Sequence, residues 1–208
     1  MMKFIIIDTE YTSWEGSLEA DWSGEGQYRE VIQCAFEVFT SGLSMPVKRR
    51  CLYCKPRLNP ILSDYIVDLT GISQSKIDES RVDIEDISYE LKSLSAEGFV
   101  FLSWGNDLGV VAENLRLYDG QNSQAVPLRW IDVRDILRAV GYNTDGYFSS
   151  SSWQLVDCLP PRKLSGYGPH NAAYDVEVIR NVLNAVECQV GLDILEKIAK
   201  ANVNICWV

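Results

Sequence analysis

The chain has a single histidine, His170, and no stretch approaching the roughly 20 consecutive apolar residues that a membrane span requires. Its opening, Met1-Met2-Lys3-Phe4-Ile5-Ile6-Ile7, is too short for a signal-peptide core, and Asp8 and Glu10 interrupt it at once. A cytoplasmic protein without a membrane segment is the expectation. A second C-x-x-C pair is also missing, so Cys51 and Cys54 lack the partners that a structural zinc site needs. Together with Cys34, Cys158, Cys188 and Cys206 they are scattered through strand-like and helix-like segments, and they read as reduced thiols.

Positive charge is scarce too. Against 19 lysines and arginines stand 29 acids, a net charge of −10, which argues against a protein that grips long duplex through a basic face. Acidic enzymes still act on nucleic acid where bound cations supply positive charge locally. Repeats, linkers and low-complexity tracts are absent. What is present is 208 residues at 47% hydrophobic, enough for one sizeable core, so residues 1–208 are read as one domain.

Phe4 to Ile7 is apolar on both faces, as a strand covered on both sides would be, and it runs into Asp8. A stretch rich in Gly, Ser and Trp follows from Thr12 to Tyr28, long enough to be a functional loop. Val31 to Phe39 and Val47 to Cys54, on either side of a Ser41-Gly42 turn, complete an antiparallel meander. Asn59-Pro60 predicts a helix start with a stop at Gly71, and Asp83 to Leu94 carries apolar residues at helical spacing. Phe99 to Leu102 is a fourth strand, Asn106 to Tyr118 a helix, and Leu128 to Val133 a fifth strand. Helices are predicted over Arg134 to Val140, Ser151 to Leu159, Ala172 to Val186 and Leu192 to Ala201. The expectation is an α/β protein with a five-stranded mixed sheet, a three-strand meander plus parallel strands, and helices on both faces. Periodicity alone permits other α/β arrangements.

Asp8 and Glu10 stand two apart on a strand, so both side chains project from one face, at the carboxyl end where α/β sheets place their ligand crevices. A solvated strand end is the alternative. Asp107, in Ser103-Trp104-Gly105-Asn106-Asp107, follows the buried fourth strand and opens a helix, where the helix dipole alone also favours an acid. Asp175 lies inside an apolar helical segment, five residues after His170, and the Gly166-Tyr167-Gly168-Pro169 loop precedes both. The histidine is the one side chain with an ordinary pKa near neutrality, able to take a proton from water. Carboxylates brought together repel and resist ionisation unless positive charge sits among them. Two divalent cations roughly 3.5 to 4 Å apart would supply it, and hard oxygen ligands favour Mg²⁺ or Mn²⁺ over zinc.

Asp8-x-Glu10, then Asp107, then His170-x4-Asp175, in this order and on these elements, resembles the DEDDh branch of the DnaQ-like 3′-to-5′ exonuclease superfamily, which has a ribonuclease H-like fold. All five signature positions are filled. The sister branch would have tyrosine where this chain has Asn171. Glu30-Val31-Ile32-Gln33 and Leu69-Thr70-Gly71-Ile72 extend the resemblance; the latter, with Ser103-Trp104-Gly105, is similar to Eri1/KapD-like members, many of which act on RNA. The resemblance implies that Asp8, Glu10, Asp107 and Asp175 hold two Mg²⁺ or Mn²⁺ ions and that His170 deprotonates the attacking water. It implies hydrolysis of terminal phosphodiesters of single-stranded RNA or DNA, with RNA slightly favoured, to nucleoside 5′-monophosphates.

A terminal nucleotide in such a site stacks on apolar or aromatic groups, and Tyr11, Trp14 and Trp104 are the candidates, though for Trp104 a place in the core is the stronger alternative. Lys48, Arg49 and Arg50 form the densest basic cluster, readable as phosphate contacts or as a charged edge strand that resists pairing. The partner expected is a 3′ end of single-stranded RNA or DNA, with a homodimer left open. Two other readings stand beside it: a catalytically silent nucleic-acid-binding or regulatory module on the same fold, and another metal-dependent phosphodiesterase, either an endonuclease or a nuclease for very short oligonucleotides.

Overall fold

A computed structural model describes residues 2–119, 125–156, 158 and 168–208. The elements in chain order are β1 (Phe4–Tyr11), β2 (Val31–Phe39), β3 (Lys48–Tyr53), α1 (Asp64–Thr70), α2 (Gln74–Asp78), α3 (Ile84–Ala96), β4 (Val100–Ser103), α4 (Asp107–Asp119) and β5 (Pro127–Asp132). There follow α5 (Val133–Ala139), a 3₁₀ helix (Ser149–Gln154), α6 (Ala172–Val190), α7 (Leu192–Ala201) and β6 (Asn204–Trp207). The sheet order is β3-β2-β1-β4-β5-β6. β1 runs antiparallel to β2 and parallel to β4, and β4 runs parallel to β5.

Side-chain alternation along β1 divides the core in two. Phe4 and Ile6, with Val100 and Leu102 of β4, pack against α5, α6 and α7 through residues such as Ile136, Ile179 and Leu195. Ile5 and Ile7, with Phe101, pack against α3 and α4 through Ile87, Leu91, Val111 and Leu115. Each of these fully buried aliphatic or aromatic side chains contributes about 1.5–3 kcal/mol. The same alternation sends Asp8 and Glu10 towards α6 and Thr9 towards α4, which sets the geometry of the site.

Three expectations need correction. The sheet has six strands rather than five, because β6 pairs antiparallel with β5, Pro127 opposite Trp207 and Trp130 opposite Asn204. The helix expected from Asn59 begins instead at Asp64, with Ser63 Oγ accepting from the Ile66 N–H at 3.1 Å. Asn59 is already engaged: the buried Glu30 carboxylate accepts its backbone N–H at 2.6 Å, and its side chain donates to the Gly26 carbonyl. The predicted stop is correct, since Gly71 closes α1 in the left-handed region at φ 69°, where a side chain would be strained. The helix expected over Ser151 to Leu159 is a 3₁₀ turn over Ser149–Gln154; Asp157 and Leu159 lie outside the described residues, as do Gly166 and Tyr167.

None of the six cysteines is in a disulfide. Burial and the nearby carboxylates of Asp83 and Glu85 push Cys54 up to about 12, so it is a protonated core residue rather than a thiolate ligand. No described helix is long and apolar enough to cross a membrane.

Candidate active site

Three elements deliver the carboxylates to one cleft of about 530 Å³, lined by Asp8, Glu10, Asp107, His170 and Asp175 together with aromatic side chains. β1 supplies Asp8 and Glu10 on the α6-facing side. Ligand oxygens of Asp8, Glu10 and Asp175 all lie within 4.8 Å of one another. Asp107 stands outside this trio. Its Oδ1 is held from the other face of β1, accepting from the Thr9 backbone N–H at 2.9 Å and from Thr9 Oγ1 at 2.7 Å. One three-residue run therefore grips α4 with its middle residue and presents acids to α6 with its outer two.

Asp175 is placed by the start of α6. Asn171 caps that helix, its Oδ1 accepting from Ala173 N–H at 3.2 Å and from Gln33 Nε2 at 3.3 Å. Gln33 Oε1 in turn accepts the Ala172 N–H at 2.9 Å. Gln33 is fully buried and sits directly opposite Glu10 in the β1–β2 register, so the sheet ties the helix start to the neighbouring acid. Ser149 from the 3₁₀ turn donates to Asp175 Oδ2 at 2.9 Å. Asp175 Oδ1 is buried and has no hydrogen-bond partner among the described residues.

The electrostatics follow from burying acids side by side. Burial, then the charges of Asp107, Asp175 and Glu10, raise the Asp8 carboxyl well above the ordinary range. Burial and the charges of Asp175 and Asp107 do the same to Glu10. Asp107 is pushed up to about 6 by burial, the Thr9 hydrogen bonds opposing the rise. Burial pushes Asp175 up to about 7, although Ser149 pulls it down. Carboxylates this close, with an unmatched buried oxygen among them, form a hard-oxygen donor set that a divalent cation fits.

His170 precedes the Asn171 cap with a backbone φ of 62°, a left-handed conformation in which histidine is tolerated better than most residues. Its ring meets Phe148 edge to face, centroids 6.2 Å apart. Burial lowers its pKa, which keeps the imidazole neutral and able to accept a proton.

Tyr11, Trp14 and Trp104, expected near a substrate, all line the cleft. Trp104 is fixed by an Nε1 donation to the Tyr147 carbonyl at 3.1 Å. Sequence reasoning missed Trp22, which donates from Nε1 to the Thr12 carbonyl at 2.9 Å and stacks edge to face on Tyr11 at 5.3 Å. Its position in a loop rich in Trp and Gly was a signal of interest, but nothing local picked it over Trp14. Tyr65, Ile66 and Leu69 of α1 form part of the same wall, again unmarked by any motif. The basic cluster is not in the cleft: Lys48 and Arg50 pair with Glu90 at 2.6 and 3.2 Å, and Arg49 pairs with Glu37 at 2.9 Å.

No protein-family model and no curated protein matches the chain in sequence. Solved structures do match in three dimensions. The nuclease domain of 3′hExo, a DEDDh family member, bound to rAMP superposes with a TM-score of 0.69 at 17% identity, over 91% of this chain and 92% of that one. Cell-death related nuclease 4 (CRN-4) gives 0.66 at 20% identity, over 99% and 80% of the two chains. The zinc-bound E. coli ExoI–ssDNA complex gives 0.62 at 16% identity, covering 95% of this chain but 42% of that one. These likenesses show a shared fold, a mixed α/β architecture with helices flanking one sheet.

Proposed function

We propose that this chain is a divalent-metal-dependent 3′-to-5′ exonuclease of the DEDDh branch, acting on single-stranded RNA or DNA and releasing nucleoside 5′-monophosphates. The observation that carries the proposal is the meeting of Asp8, Glu10 and Asp175 within 4.8 Å, with Asp107 and His170 on the same cleft. Neighbours that share the fold add support: their descriptions are of 3′-exonucleases, one of them with bound rAMP.

In this reading Asp8, Glu10, Asp107 and Asp175 would hold Mg²⁺ or Mn²⁺, which would supply positive charge to the acids and to the phosphoryl oxygens of the reacting bond. Thr9 fixes the Asp107 carboxylate, and Ser149 fixes one oxygen of Asp175 while the other has no hydrogen-bond partner among the described residues. His170, held neutral by burial, takes the proton of the attacking water. The aromatic wall of Tyr11, Trp14, Trp104 and Trp22 receives the terminal base by stacking, which is tolerant of base identity.

The test is incubation of 5′-end-labelled single strands, RNA and DNA of one sequence, with Mg²⁺ or Mn²⁺. A ladder of single-nucleotide steps that disappears in Asp8→Ala is the expected result. A single internal cut, or cleavage by Asp8→Ala at the parent rate, overturns the assignment.

A further inference from the structure

We propose that the smaller cleft beside the carboxylates is a phosphate subsite, where Arg29 and Arg116 hold the internucleotide phosphate on the 5′ side of the scissile bond. This rests on the exonuclease reading above. The cleft, about 370 Å³, shares Tyr11, Trp104 and Asp107 with the larger one, so a strand ending in the latter can continue into it without leaving the surface.

The larger cleft offers that next phosphate no unpaired cation among the described residues. Its one described cation, Arg134, is held by the Asp132 carboxylate through Nε at 2.9 Å and Nη2 at 2.5 Å. The smaller cleft differs in two ways. Arg116 is exposed and makes no ion pair among the described side chains, although it lines the cleft. Arg29 is anchored on one side only: Nη2 bonds Glu113 at 2.5 Å, and the guanidinium lies over Tyr11 and Trp22 at 5.7 and 5.1 Å. Ordered by that ion pair and by the two rings, the guanidinium presents its remaining N–H donors with little further loss of freedom, and phosphate matches such donors.

Asn106 completes the set. Its Oδ1 accepts the Gly109 N–H at 3.0 Å, which leaves the amide donor free to meet a ligand. Gly109 permits this, because a Cβ there would come within 2.2 Å of Asn106 Nδ2. In a chain of net charge −10, whose densest basic run is consumed by Glu90 and Glu37, two arginines next to the carboxylates are the local exception. Arg29 also stacks on Trp22, so the subsite couples strand binding to the placement of the aromatic wall.

The test compares a 5′-labelled trinucleotide as substrate with a nucleoside 5′-monophosphate as competitive inhibitor, in the parent, Arg116→Glu, Arg116→Lys and Arg29→Lys. Arg116→Glu is expected to raise the trinucleotide KM about tenfold, the loss of one charge-assisted contact, with kcat within about twofold. The inhibition constant of the mononucleotide, which fills the terminal site alone, stays at the parent value. Arg116→Lys restores most of the affinity, whereas Arg29→Lys, which keeps charge but loses the fork, does not match the parent. An unchanged KM in Arg116→Glu, or an equal weakening of the mononucleotide, overturns the subsite. A parent chain that shortens no 3′ end at all overturns the exonuclease reading instead.

Discussion

His170 carries the sharpest consequence at the scale of single residues. A neutral imidazole in a left-handed backbone position can be replaced by asparagine, which tolerates that conformation but cannot take a proton. We predict that His170→Asn lowers kcat about 10²- to 10⁴-fold, the usual span for a general base, while KM changes by less than about threefold. The pH profile supplies a second readout. Because burial lowers the His170 pKa, parent activity at saturating metal should fall only below the ordinary histidine range, and that limb should vanish in the variant. Steady-state kinetics across pH checks both. The histidine was legible in the sequence because it is the only one and stands in His170-x4-Asp175. Trp22 and Ser149 were not, because their roles arise from long-range packing: Trp22 lies against Tyr11, and Ser149 reaches Asp175 from another element.

Among elements, the junction of β1, β2 and α6 does most to assemble the site. Gln33 bonds the Ala172 N–H and the Asn171 cap while sitting opposite Glu10 in the sheet. Gln33→Leu leaves these buried groups without a partner, so we predict a loss of about 1–3 kcal/mol in stability, read by denaturant unfolding. Activity should fall more than that loss explains, since the start of α6 carries Asp175. Apolar periodicity and turn residues placed β2 and α7 correctly, because both bury one clear pattern. β6 escaped notice because three of its four residues, Asn204, Ile205 and Trp207, are exposed, so it carries no buried alternation. The late start of α1 escaped for a different reason: a Glu30 carboxylate distant in sequence had already captured the backbone of residues 57–59.

For the whole molecule, the burial of mutually repelling acids in a chain of net charge −10 sets the response to pH and to metal. Folded-state pKa values near 6 for Asp107 and 7 for Asp175 lie above the unfolded value of 3.8. The stabilising contribution of these groups is fully present below about pH 4 and is lost as pH rises through their folded values. Metal-free protein should therefore lose stability relative to Asp175→Asn between about pH 4 and pH 7, measured by thermal unfolding of the two chains in parallel. Millimolar Mn²⁺ competes with the protons, so the rise in Tm that it produces should grow across the same window. A metal effect that shrinks with rising pH would contradict this account.

The central claim is that acids from β1, α4 and α6 meet closely enough to trap hard cations beside His170. Anomalous diffraction from a crystal soaked in Mn²⁺ tests it most directly. The account predicts a manganese peak touching Asp8, Glu10 and Asp175, absent in Asp8→Asn; a crystal with that place empty and the three carboxylates turned apart would contradict it.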